Sequence, residues 1–181
     1  MDPINLIQKY YAQDSLAYHI LVTHSKNVTQ KALYLAERVP HLNPDTQFIE
    51  EAAMLHDIGI FLTDAPNIDC FGKAPYIRHG ILGRELLEKE GLPKHALVCE
   101  RHTGAGISRA DIKAQKLPLP DRDMFPVSLE EQIICFADKF FSKNPKKLNR
   151  EKSIDKIKKN MQQYGEDKLV RIEQWVELFK L

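Results

Sequence analysis

No stretch of this sequence approaches the roughly 20 consecutive apolar residues of a membrane-spanning helix, so a membrane partner is not expected. Cysteine is scarce. Cys70, Cys99 and Cys135 are widely spaced, which excludes a zinc-ribbon spacing, and their odd number argues against a disulfide framework. A reducing cytoplasm is the simplest location for such a chain. The N-terminal residues MDPINLIQKYY show no basic region followed by a long apolar stretch, so no signal peptide is expected. Charge of one sign is not in excess: the net charge is +1, and bulk electrostatics selects no polyanionic partner. Alternating strand patterns, internal repeats and low-complexity tracts are also lacking. Gly104-Ala105-Gly106 has no Walker spacing and no preceding strand, so it is not read as a phosphate loop.

What remains is helical periodicity. The chain has 181 residues, 43% hydrophobic and 28% charged, which suits a globular protein with a substantial core. From Leu16 to Val39, apolar residues recur at Leu21, Val28, Ala32, Leu35 and Ala36, and Pro40 closes the stretch. Asp45 predicts an N-cap for a second helix ending near Ile58, with Gly59 as a left-handed C-cap. Residues 64–75 read as a loop. Further helices are expected from Tyr76 to Glu90, from Pro93 to about Gly104, and briefly around Arg109 to Gln115. Ser128 and Glu131 form a capping-box pattern before Ile133, Ile134, Phe136 and Ala137. The expectation is an all-α bundle over residues 1–143. A C-terminal helical extension, 144–181, should pack on the same domain.

The chemistry centres on His56-Asp57 at a helix end. Adjacent helical residues point about 100° apart, so two neighbouring ligands can converge on an ion off the helix terminus, where free carbonyls also favour a cation. His24 lies in an amphipathic helix upstream. Asp138 follows the apolar run Ile133 to Ala137, and a carboxylate there is either solvated or paired with a cation. His79 and His102 stand between. Imidazole and carboxylate ligands suit Mn, Fe, Co or Zn, and no cysteine lies near these positions.

The order His24, His56-Asp57, Asp138 resembles the HD superfamily of metal-dependent phosphohydrolases, and HDIG (His56 to Gly59) is the form found in many members. The segments RHG, ERHTGAGIS and LPLPDRDMFPVSLEEQIICFADK extend the likeness over roughly Tyr18 to Lys139, resembling small bacterial and archaeal members. The resemblance implies an HD-domain-like helical bundle. It implies that His24, His56, Asp57 and Asp138 hold one divalent ion. It further implies that His79 and His102 hold a second, bridged by Asp57. The activities it implies are hydrolysis of phosphomonoesters, cyclic nucleotides or dinucleoside polyphosphates, with His56 and Asp57 at the catalytic centre. Many HDIG chains continue with Lys, whereas Ile60 stands here.

Two ions about 3.5–4 Å apart can lower the pKa of a shared water and neutralise phosphoryl oxygens. Lys73, Arg78, Arg101 and Lys139 adjoin the ligands in sequence and are the expected phosphate contacts. The expected substrate is a nucleotide or related small phosphate. Two alternatives use the same residues: a di-iron oxygenase on an HD-type scaffold, and a non-catalytic nucleotide-binding module. The lysines from Lys139 to Lys159 have no interleaved aromatics and read as a solvated helix face, which argues against nucleic acid. His19, His41 and His95 fall outside the pattern and read as surface or packing residues.

Overall fold

The computed structural model describes residues 1–181. It has nine α-helices: α1 (Pro3–Tyr10), α2 (Leu16–Glu37), α3 (Thr46–Leu55), α4 (His79–Lys89), α5 (Pro93–Arg101), α6 (Arg109–Gln115), α7 (Leu129–Lys139), α8 (Ile154–Gln162) and α9 (Glu166–Leu178). The only sheet is a two-residue antiparallel pair, β1 (Asp64–Ala65) with β2 (Cys70–Phe71), inside the expected 64–75 loop. No helix is long and apolar enough to cross a membrane. The all-α expectation therefore holds.

The caps explain where most helices begin. Asp45 accepts from Phe48 N at 2.9 Å, as its position before α3 predicts. Two local expectations need correction. Ser128 accepts from Glu131 N, but Glu131 does not return the bond to Ser128. Its carboxylate instead accepts from Val127 N and from Arg101. The reciprocal box is Ser108 with Asp111, which opens α6. Helix α3 stops at Leu55, and Gly59 has φ −82°, outside the left-handed region. Glycine is needed there for another reason: a Cβ would lie 2.4 Å from both Gly83 N and His79 O. Gly80 gives a similar approach to Cys99 O of α5, at 2.5 Å from where its Cβ would be. These two contacts let α4 lie close to both the turn after α3 and α5.

The apolar side chains form two principal cores. One gathers Val28, Ala32, Ile49, Ile133, Phe136 and Trp175, and the other Ile7, Ile20, Leu21, Leu55, Ile58 and Leu87. Helices α2 and α3 run through both. His24 falls on α2 between Leu21 of one core and Val28 of the other, and His56-Asp57 follow Leu55. The polar cluster thus lies on the seam between two rigid cores, which limits side-chain motion.

Residues after 143 contribute to the first core. Ile157, Ile172, Trp175 and Phe179 are all buried in it, and the Trp175 ring centroid lies 5.6 Å from that of Phe136. Trp175 Nε1 donates to Gln132 Oε1 at 3.1 Å. Replacing Trp175 with Ala is expected to cost about 3–5 kcal/mol in urea denaturation. A loss near zero would make this segment an appendage.

Candidate metal centre

Six side chains from five parts of the chain meet on the seam. His24 comes from α2, and His56 and Asp57 from the turn after α3. His79 opens α4, His102 follows α5, and Asp138 ends α7. All are buried, and His56 and Asp57 have no exposed surface. His24 Nε2 lies 3.0 Å from Asp138 Oδ1 and 3.3 Å from Asp57 Oδ2. His56 Nε2 lies 3.1 Å from Asp57 Oδ2 and 3.5 Å from Asp138 Oδ1. On the other side of Asp57, His79 Nε2 and His102 Nε2 lie 3.4 and 3.3 Å from Oδ1. The cluster is thus two donor groups, His24-His56-Asp57-Asp138 and Asp57-His79-His102, sharing one carboxylate.

The hydrogen bonds behind the rings decide which atoms face inward. His56 Nδ1 lies 2.6 Å from Ala53 O, His79 Nδ1 lies 2.8 Å from Tyr76 O, and His102 Nδ1 lies 2.8 Å from Cys99 O. A carbonyl only accepts, so each Nδ1 carries the proton and donates it. In the neutral rings of His79 and His102, Nε2 is then a bare lone pair. Those two nitrogens stand 3.1 Å apart, beside Asp57 Oδ1, with no proton to share among three acceptors. Such an arrangement calls for a cation. The buried His56 Nε2 and both Asp57 oxygens also lack hydrogen bonds of good geometry, which is costly unless something fills the gap. The donor set is entirely nitrogen and oxygen, and it fits a borderline divalent transition ion. The cysteines stay outside: Cys99 Sγ contacts Leu55 O, and Cys135 Sγ contacts His102 O.

The charges agree with this reading. Burial opposes ionisation of Asp57, but Lys143 and His56 outweigh it and hold the carboxyl well below the usual range. Asp138 is likewise buried yet held low, by Lys139 and Lys143. Burial opposes charge on His56, but Asp57 and Asp138 raise it to about 9, so a proton occupies that site when no metal does. Burial, reinforced by His102 and Lys143, pushes His79 down to about 3 and keeps it neutral, as a ligand must be.

The expected phosphate contacts divide. Lys139 Nζ lies 2.7 Å from Asp138 Oδ2 and donates to His102 O at 3.1 Å, at the cluster itself. Arg78 is half-buried with an unpartnered Nε. Arg101 is engaged by Glu131 at 3.1 Å. Lys73 is exposed and lines neither cavity beside the cluster. The solvated-face reading of the lysine run is corrected at Lys143. Its Nζ stands 2.6 Å from Asp57 Oδ2, with the side chain largely buried. Lys152 also turns inward, donating to Lys139 O and Phe141 O past the end of α7. Tyr76 is a further residue beside the cluster. Its ring stacks on His79, centroids 4.8 Å apart. Nothing in the local pattern marks Lys143 among its neighbouring lysines, whereas Tyr76 stands three residues before a ligand candidate.

Two cavities reach the cluster at Asp138. The larger, about 630 Å³, is lined by Asp138, Lys139, residues 103–107 and the inner face of α8. The smaller, about 440 Å³, lies between the β1–β2 hairpin and residues 141–144, again reaching Asp138.

Residues 21–142 match the HD domain family. The chain is similar to a protein named tRNA (cytidine(56)-2'-O)-methyltransferase from Thermoplasma volcanium, 27% identical over 174 residues, covering 96% of this chain and 45% of that protein. A protein of the same name from Picrophilus torridus is 34% identical over 138 residues, 76% of this chain and 36% of the relative. An uncharacterized protein of Methanocaldococcus jannaschii is 35% identical over 121 residues, 65% of this chain and 64% of the relative. This chain spans less than half the length of the two methyltransferases. No solved structure matches it.

Proposed function

Because the chain belongs to the HD domain family, we propose that it is a metal-dependent hydrolase of a phosphate ester or phosphoanhydride, acting on a nucleotide or related small phosphate. One observation carries the reading: Asp57 is shared by two buried donor groups, with the ammonium groups of Lys139 and Lys143 beside them. His24, His56, Asp57 and Asp138 would hold one ion, and Asp57, His79 and His102 a second. Ions bound there supply a lowered water pKa and positive charge for the phosphoryl oxygens. The chain's own part is positioning. The backbone carbonyls of Ala53, Tyr76 and Cys99 lock three rings with Nε2 inward. Lys139 and Lys143 neutralise the carboxylates and offer donors to an arriving phosphate. This crowd of cations suits an anionic substrate.

The relatives' names favour a second reading, in which the phosphate presented to this site belongs to tRNA. Methyl transfer is named for proteins more than twice as long as the part matched here, and it is not carried over. The test is a hydrolysis panel on metal-loaded protein with nucleotides, aryl phosphates and tRNA, assayed with and without chelator. Chelator-sensitive release of phosphate or a phosphate ester supports the first reading, and release from tRNA alone supports the second. Oxygen uptake with a polyol or phosphonate, and no hydrolysis, would overturn both.

A further inference from the structure

The two cavities adjoin at Asp138. Both are lined by Tyr76, Asp138, Ser142 and Lys152, and beyond these residues their linings diverge, toward α8 on one side and toward the β1–β2 hairpin on the other. A blind pocket would suit a terminal phosphate with a single substituent. Here a phosphorus seated at the shared residues has room on both sides.

The arms differ in chemistry. The larger arm is lined by the apolar side chains of Ile107, Leu117, Ile157 and Met161, by the exposed ring of Tyr164 and by the amides of Gln115 and Asn160. An apolar lining with a few amide donors and acceptors suits a nucleobase. Its charged residues far from the cluster neutralise one another: Lys168 Nζ lies 2.5 Å from Asp111 Oδ2. Nothing there receives a further phosphate. The smaller arm is polar, with Asp64, Asn67 and Asn144. Lys143 is drawn onto Asp57, and Lys152, which lines both arms, is held by the backbone carbonyls of Lys139 and Phe141 at the end of α7; away from these central cations the Asp64 carboxylate repels additional negative charge. Both arms therefore accept neutral groups, and the cationic centre accepts one phosphate.

We propose, resting on the hydrolase reading above, that the groove binds a linear phosphodiester across the His/Asp cluster. The nucleoside lies in the arm walled by α8, and a hydroxyl-rich group such as a second nucleoside lies in the arm under the hairpin. Water oxygen bonds to phosphorus and one P–O ester bond breaks. The departing oxygen takes a proton from the water and leaves as an alcohol, and a phosphomonoester remains. The wall formed by α8 lies beyond the residues that match the family, whereas Ile107, Gln115 and Leu117 lie within them, so the C-terminal segment supplies part of this base subsite.

The experiment compares the dinucleoside monophosphate ApA with AMP, cyclic AMP, ATP and 4-nitrophenyl phosphate, on wild-type and Asn160→Ala protein. Turnover is followed alongside binding calorimetry of the metal-loaded chain. The expected result is a kcat/KM for ApA at least about tenfold above the other nucleotides. Asn160→Ala should raise KM and Kd for ApA by about tenfold, the size of one lost hydrogen bond, and should weaken ApA more than 4-nitrophenyl phosphate, which carries no nucleobase. If AMP, cyclic AMP or ATP is preferred, or Asn160→Ala moves nothing, the diester proposal is overturned while the hydrolase reading stands. If ApA binds with the Asn160 dependence but no substrate is cleaved, the groove assignment is supported and the hydrolase reading fails.

Discussion

Asp57→Asn is expected to empty both donor groups at once. Hydrolysis of any substrate found should fall by about a thousandfold or more. The reason is position: Asp57 supplies Oδ2 to the His24-His56 side and Oδ1 to the His79-His102 side, so no other single residue belongs to both groups. Asparagine keeps the volume but removes the charge, leaving Lys143 buried without its carboxylate. Metal analysis of purified protein should give two ions per wild-type chain and close to none in the variant. His79→Ala and His102→Ala should each retain one ion. A wild type with one ion, kept by both histidine variants while substrate affinity falls, would mean that His79 and His102 touch substrate and bind no metal. Full activity in Asp57→Asn would place the chemistry elsewhere.

Gly59→Ala should destabilise the fold by about 3 kcal/mol or more, lowering the melting temperature by about 6–12 °C. Glycine to alanine at a residue with ordinary negative φ would otherwise stabilise by about 0.4–1 kcal/mol, because the unfolded chain loses freedom. The sign reverses here because the new methyl would meet backbone on both sides, Gly83 N and His79 O at 2.4 Å, and backbone cannot rotate away as a side chain can. Relief requires α4 to move off the turn, carrying His79 with it. Loss of the second ion should therefore accompany the loss of stability. Urea denaturation and metal counting on the same preparation test both. An unchanged or raised midpoint would mean that α4 does not pack this closely.

Local signals in the sequence determined the helices and the candidate ligands. Periodicity such as Val28, Ala32, Leu35 and caps such as Asp45 act within a few residues, so they can be read along the chain. The motif order His24, His56-Asp57, Asp138 marks the cluster because buried imidazoles and carboxylates on apolar helices have few other uses. Only the tertiary structure decided which cations join them. Lys143 looks like any lysine in a lysine-rich run, and packing of residues 140–152 beyond α7 turns it onto Asp57, 86 positions earlier in numbering. Arg101 looked equally suited to phosphate, yet Glu131 takes it from 30 positions away. A glycine after a helix reads the same whether it caps the helix or admits a neighbouring one, and at Gly59 the contact with α4 made the difference. The groove follows the same logic. Its apolar arm is closed by α8, whose amphipathic pattern specifies a buried face but not what that face will cover, because the partner surface comes from residues about 50 positions away.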